Sequence, residues 1–306
     1  MAALAGVGAP FDKAAKVISE LAGRTLDGDT VRLAAHSTAR RAASARPERP
    51  DAARFADAEG TVEVPIDAGK ANTTGGWRDV KVAVFARREA GEPAAPEDWD
   101  ARELPAPTVR TAVAAVEGVD AFAVRLESEA DRLGVTGPGD VTVLGDGAAW
   151  IWNLAETVLP HAEGVLDVYH AAEHIATTAR AVWGEGTARA AAGLEEGRSA
   201  PITEGLCGLE SWIGRVFEEV GTGVGYDELI SLAAYAASHT TRLNYAERLR
   251  EGRSIGSGLI EGTIEQLVDL RLKRTGARWC VENVGPLVEL IALADSPEWQ
   301  SLWTAI

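Results

Sequence analysis

Three apolar runs in this chain lead into acids, and that placement is the first sign of chemistry. Val141–Leu144 stops at Gly145-Asp146-Gly147, where two glycines let another group come close to the Asp146 carboxylate. Gly164–Val168 carries Asp167 near its end, with Tyr169 and His170 directly after. Thr61–Ile66 (TVEVPI) alternates and ends at Asp67. In open α/β sheets, ligand chemistry gathers outside the carboxyl ends of the strands. Acids placed there are better catalytic candidates than acids on a charged helix face.

The elements that must carry these acids follow from the pattern. Val141–Leu144 and Gly164–Val168 are short and apolar without alternation, as in a buried parallel pair. Ala148–Val158 between them reads as a helix closed by Pro160. Arg78–Ala86 alternates as a strand, joined to Thr61–Ile66 through the turn-rich Asn72–Gly76, and Asn72, Trp77 and Arg78 are expected to shape that turn beside Asp67. Glu89–Pro107 reads as loop with room for a short strand, and Thr108–Leu133 as one long amphipathic helix ending at Gly134. The resulting order is that of a ribonuclease H-like α/β fold with a mixed sheet, whose first and fourth strands bear the first two metal-binding acids. Residues 61–174 form the first part of that core. Residues 175–250 read as an all-α insertion, and 251–306 as the C-terminal helical part.

A third acid should lie beyond the insertion. Ser257 can cap a helix from about Leu259 to Arg274, ended by Gly276, with Ile260, Ile264, Leu267 and Val268 as its apolar stripe. Glu261 and Glu265 stand one turn apart beside that stripe. An ordinary amphipathic helix with solvated glutamates would look the same. Lys273, Arg274 and Arg278 gather at the helix C-terminus, where the macrodipole favours cations.

At the N-terminus, Phe11–Leu21 has apolar residues at helical spacing, and Ala22-Gly23 ends it. Asp29–Ala43 reads as a second helix, with Asp29 or Thr30 as its N-cap. Thr30, Arg32, His36, Arg40 and Arg41 lie along it. The pair is compatible with a DNA-binding helix-turn-helix within residues 1–45, or with a plain packing hairpin. Residues 46–60 read as a proline- and charge-rich linker.

Composition narrows the classes. The chain has 306 residues and a net charge of −16, which opposes indiscriminate nucleic-acid binding because phosphate contacts need Lys and Arg. Residues 1–50 and 242–278 nevertheless each hold eight basic against five acidic side chains. Two cysteines, Cys207 and Cys280, exclude a disulfide framework and a cysteine-based zinc cluster, and a reducing cytoplasm fits them. No stretch approaches the ~20 apolar residues of a membrane span. The N-terminal MAALAGVGAPFDKAAK lacks the pattern of a signal peptide.

Four blocks carry a family resemblance: IDAGKANTTGGWRDVKVAVF (66–85), LGDGAAWIWNLAE (144–156), LDVYHAAEH (166–174) and GSGLIEGTIEQLVDLRLKRTGARWCVENVGPLVEL (256–290). In this order and spacing they resemble the DDE transposases of ISKra-type insertion sequences, relatives of the Mutator-like group, from about Val62 to Trp303. Phe11–Ala43 resembles the family's helix-turn-helix. The resemblance implies Asp67, Asp146 and Glu261 as a metal-binding triad for two Mg²⁺ or Mn²⁺ ions. Asp167 and His170 fall on the Asp-x-x-His motif after the second acid. His170 is read either as a brace or phosphate contact beside the metals, or as a buried histidine hydrogen-bonded to Asp167. His174, Trp150 and Trp152 are read as packing residues.

The implied partner is double-stranded DNA, both transposon ends and target, gripped by Arg32, Arg40, Arg41, Lys273, Arg274 and Arg278. A homo-oligomer on DNA, a cytoplasmic nucleoid-associated location and no membrane association go with it. The competing expectations are a truncated or domesticated DNA-binding repressor without catalysis, and an RNA-cleaving enzyme sharing the acids.

Overall fold

The computed structural model describes residues 1–294, 296 and 298–300. The end of the 251–306 part, Trp303 included, therefore lies outside the described residues. Helices α1 (Ala2–Gly8), α2 (Phe11–Ala22), α3 (Gly28–Ser44) and α4 (Asp51–Asp57) precede the sheet. The turn after α2 is made by Gly23 at φ 60°, a left-handed value that a glycine adopts without a Cβ clash. The N-cap of α3 is Asp27, whose side chain accepts from Thr30 N–H at 2.6 Å, in place of the expected Asp29 or Thr30.

Residues 46–60 are not a linker. Arg46 bonds Glu129 at 2.8 Å and the Ala112 carbonyl at 3.0 Å, and Phe55 is fully buried in the main core. Arg132 adds bonds to Asp51 and Glu129 at 2.6 and 2.7 Å. The charges that made this stretch look solvated are instead paired across elements.

Strands β1 (Thr61–Thr73) and β2 (Gly76–Arg88) form a long antiparallel hairpin, and β3 (Val109–Ala115) pairs with β2. Helix α5 (Val119–Arg132) follows. The single helix expected over Thr108–Leu133 is thus a strand and a helix. Val109–Ala115 is alanine-rich and reads as helix locally, but the edge of β2 offers it hydrogen-bond partners, and Gly118 N-caps α5. The chain continues through β4 (Val141–Gly145), α6 (Ala149–Val158), β5 (Glu163–Leu166) and α7 (Val168–Trp183). Val168 belongs to α7, so β5 ends one residue before Asp167. Among the described residues, five strands form one mixed sheet of order β3-β2-β1-β4-β5, with β1, β4 and β5 parallel.

Helices α8 (Ala188–Val220), α9 (Tyr226–Ser238) and α10 (Tyr245–Arg250) follow, α8 being broken at Gly205. Ile202, Trp212, Leu229, Leu232 and Tyr245 from these helices share one apolar core with Val64, Ile66 and Leu144 of the sheet. The opposite face of the sheet packs Val80, Val82 and Val84 against α11 (Gly258–Ile264), a wider π-turn at Glu265–Asp269, α12 (Leu270–Leu272) and α13 (Val281–Ala294). The N-terminal helices dock on this second layer. Ala35 and Ala39 of α3 meet Leu290, and Arg271 stacks between the rings of Phe11 and Trp279. No helix among the described residues is long and apolar enough to cross a membrane.

Candidate active site

Strand β1 continues six residues past Asp67 because its hairpin with β2 runs on to Thr73. Asp67 is therefore not at a strand end. It lies where the parallel neighbour stops: the β1–β4 ladder ends at Pro65 opposite Leu144. Two steps beyond that pair come Asp67, still within β1, and Asp146, the first residue past the end of β4. Gly145 lets α6 settle against the end of β4, since a Cβ there would stand 2.8 Å from the Ile151 side chain.

The third acid is carried by α11. Gly69, two residues from Asp67, has no Cβ, and one built there would lie 2.9 Å from Ile264 and 3.1 Å from Val268. The helix can therefore settle onto β1 with Glu261, one turn ahead of Ile264, on the Asp67 side. The entry to α11 is stitched down at several points. Ile255 O accepts from Val168 N–H at 3.0 Å, and Ser254 O accepts from buried Arg248 at 2.7 Å. Ser254 Oγ donates to buried Glu63, which also pairs with Arg88 at 2.9 Å. Ser257 occupies the N-cap position but makes no side-chain cap; its hydroxyl donates to Glu261 at 3.4 Å.

Asp167 is fully buried and caps α7, accepting from His170 N–H at 2.8 Å and from Ser257 N–H at 2.5 Å. Both oxygens are engaged with backbone, one of them 90 residues away, so Asp167 holds the acid-bearing segments together. The His170 ring is half-exposed and stands 3.8 Å from Glu173. The expected buried histidine bonded through its ring to Asp167 is not formed: the bond is from the backbone. Glu265 is exposed in the π-turn, a turn beyond Glu261.

Electrostatics tie the centre together. Burial pushes the Asp67 carboxyl above its ordinary range; a hydrogen bond from Ala68 N–H opposes this, the charge of Asp146 adds to it, His170 subtracts, and Glu261 adds again. Ala68 and Ala148 N–H groups occupy Oδ1 of Asp67 and Asp146, at 2.6 and 2.7 Å. Among the described residues none of the three carboxylates makes an ion pair, and no group of three His, Cys, Asp or Glu side chains is placed to hold a metal ion. Three hard-oxygen donors, two of whose charges raise the proton affinity of Asp67, nevertheless suit a Mg²⁺-type ion in kind.

Sequence reasoning missed the contribution of α9. Tyr235 lies over Gly147, where a Cβ would overlap its ring, and stacks on His174 at 4.0 Å between centroids. His239 meets Tyr235 edge-on at 4.9 Å, and burial followed by the charge of Arg242 holds its imidazole down at about 4. Trp152 donates to the Asp146 carbonyl at 2.8 Å. The glycine at 147 was the available signal, because it marks a close approach, but nothing local says from which helix.

The expected DNA-contacting residues divide. Arg40 and Arg41 are exposed on α3, Arg32 pairs with Asp29 at 3.0 Å, and His36 is buried beside Phe11. Lys273, Arg274 and Arg278 are exposed. Lys273 pairs with Asp269, Arg274 reaches the Leu270 and Gly8 carbonyls, and Arg278 reaches those of Thr73 and Thr74. Asn72 does not shape the turn at Asp67. It bonds the Ala277 carbonyl at 3.2 Å and, with the Thr73–Trp279 bridge, clasps the hairpin tip to the basic segment. Trp77 is exposed near the tip.

A cavity of about 600 Å³ beside β3, walled by paired groups such as Arg46, Asp51 and Glu289, includes none of the three acids. No family model matches the chain, and no curated protein matches it.

Proposed function

We propose that this chain is a DDE transposase of the ISKra type, with a ribonuclease H-like core, that cleaves DNA and transfers strands at the ends of an insertion sequence. The observation that carries the reading is the convergence on Asp67 of the fields of Asp146 and Glu261, acids drawn from three distant segments. The strand order, with the first acid on β1, the second just past the end of its parallel neighbour and the third on a helix after a long helical segment, supports the same architecture.

In this reading Asp67, Asp146 and Glu261 hold two divalent ions, which when bound activate the attacking oxygen and stabilise the leaving one. Asp67 and Asp146 each keep Oδ2 free of backbone hydrogen bonds and so available as ligands. Glu261 lies in the first turn of α11, where N–H groups and the helix dipole favour negative charge. Asp167 fixes α11 relative to β4 and α7 without touching substrate. His170 is a half-exposed group beside the acids, suited to a phosphate contact.

Arg274, Arg278 and Lys273 supply cations near the hairpin tip. Six strand steps lead from Asp67 to Thr73, about 20 Å at 3.3 Å each, which is less than one turn of duplex. A duplex could therefore lie on both. The helix-turn-helix reading of α2 and α3 rests on their glycine turn and on exposed Arg40 and Arg41.

The test is divalent-metal-dependent strand cleavage of a plasmid carrying the DNA that flanks the gene. Glu261→Gln should abolish cleavage and leave folding and DNA binding intact, while Glu265→Gln should cleave normally. The reverse pattern would overturn the assignment of the third acid, and wild-type protein without cleavage in Mg²⁺ or Mn²⁺ would overturn the activity.

A further inference from the structure

The helical segment between β5 and α11 reaches the loop bearing Asp146 through Tyr235 of α9 and His239 just after it. A Cβ on Gly147 would stand 2.2 Å from Cε2 and 3.1 Å from Cζ of the Tyr235 ring, so the ring edge that carries the hydroxyl packs on the loop bearing Asp146. The ring cannot swing away easily, being stacked on His174 of α7 and closed edge-on by His239. Its hydroxyl is buried and has no hydrogen-bond partner among the described residues. A buried, unpaired donor costs stability, and folded proteins satisfy nearly all such groups.

Three acids bear on this hydroxyl. Burial raises the phenol pKa, and the charges of Asp146, then Asp167 and Glu173, raise it further. Both oxygens of Asp167 are already engaged by His170 and Ser257 N–H groups. Asp146 accepts one bond, from Ala148 N–H to Oδ1, and its Oδ2 accepts none among the described residues. The ring that carries the open donor thus packs on the residue next to the open acceptor, with no bond between the two groups in the structure.

We propose that Tyr235 is a positioning residue of the acidic centre, its hydroxyl the donor that the Asp146 carboxylate takes up when it holds a divalent ion. This rests on the metal-binding reading of Asp67, Asp146 and Glu261. It assigns the helical segment a task within the site: completing the shell of groups that orients one of its ligands. Such outer partners commonly change metal affinity or activity 10–100-fold when removed.

The experiment is calorimetric titration of the whole chain with Mn²⁺, wild type against Tyr235→Phe, with thermal unfolding of both in the absence of metal. Phenylalanine keeps the ring on Gly147 and His174 and removes the hydroxyl alone. The expected result is at least a tenfold loss of Mn²⁺ affinity in Tyr235→Phe with a melting temperature equal to or above that of wild type. A hydroxyl with a merely structural role would leave Mn²⁺ affinity unchanged, and affinity within twofold of wild type would overturn the proposal. Wild type that takes up no Mn²⁺ would overturn the metal-binding reading, and this proposal with it. His174→Leu, which removes the stacking partner and keeps the hydroxyl, serves as the second variant. A loss there about tenfold or more supports clamping of the ring, and Mn²⁺ affinity unchanged in both variants rejects any role for Tyr235.

Discussion

Asp67 and Asp146 each stand two residues beyond Pro65 and Leu144, the last pair of the parallel β1–β4 ladder, and the charge of Asp146 bears on Asp67. Seventy-nine positions of sequence separate them, and parallel register alone brings them together. Glu261 approaches over Gly69, and its charge adds to that of Asp146 at Asp67.

That repulsion has a thermodynamic consequence. Burial, Asp146 and Glu261 together raise the Asp67 pKa above its unfolded value, so the folded state binds this proton more tightly than the unfolded chain does. Stability from this group is then gained as pH falls through the raised pKa and is lost above it. Asp67→Asn should raise the melting temperature by about 2 °C or more near pH 7 without metal. The same variant should lose the stabilisation that millimolar Mg²⁺ gives wild type through binding to the folded state. Differential scanning fluorimetry with and without Mg²⁺ decides it, and an Asp67→Asn variant less stable than wild type in EDTA would count against crowding of the acids.

The Arg46–Glu129–Arg132 cluster predicts the opposite pH behaviour. Burial alone would raise the Glu129 carboxyl, but hydrogen bonds from Arg132 and Arg46 outweigh it and lower it from 4.5 to about 2. A carboxylate depressed in this way contributes stability above its unfolded pKa, and that contribution falls away between about pH 4.5 and 2. Glu129→Gln leaves two buried guanidinium groups short of a counter-charge and should cost about 3–5 kcal/mol. Urea unfolding at pH 7 and at pH 3 measures both effects, and the gap between variant and wild type should narrow in acid.

Asp167 offers a test of positioning. Asn at 167 keeps one acceptor, suited to the cap bond from His170 N–H, but turns an NH₂ group toward Ser257 N–H. Two facing donors should cost about 1–3 kcal/mol and loosen the entry to α11. Hydrogen exchange should rise at Ser257 while the core of β4 stays protected. Unchanged protection at Ser257 would remove Asp167 from any role in holding Glu261.

For DNA, Arg274→Ala and Arg278→Ala should each weaken duplex binding across sequences and lower the slope of log affinity against log salt by about 1. Fluorescence anisotropy at several salt concentrations reads this directly. A slope equal to wild type in both variants would place the phosphate contacts elsewhere.

Much of the fold is written in local pattern. The apolar runs at Val141–Leu144 and near Val165 are strands, Ala149–Val158 and Phe11–Ala22 are helices, and Asp146 follows its strand as the glycines indicate. These elements are set by periodicity and by turn residues within a few positions, which a single sequence displays. Val109–Ala115 shows the limit. Its alanines accept either conformation, and an open edge on β2 decides for strand.

What the tertiary structure decided is every relationship between distant segments. Residues 46–60 look like a solvated linker because their charges have no local partners, yet Glu129 and Arg132 supply them from another helix. Asp167 looks like a catalytic acid, and only folding brings Ser257 N–H to its second oxygen. Gly147 announces a close approach, and only the path of α9 makes the visitor Tyr235. The physical reason is common to all three. Sequence spacing records which side of an element is buried, whereas hydrogen-bond and charge partners depend on which surfaces the packed core presses together.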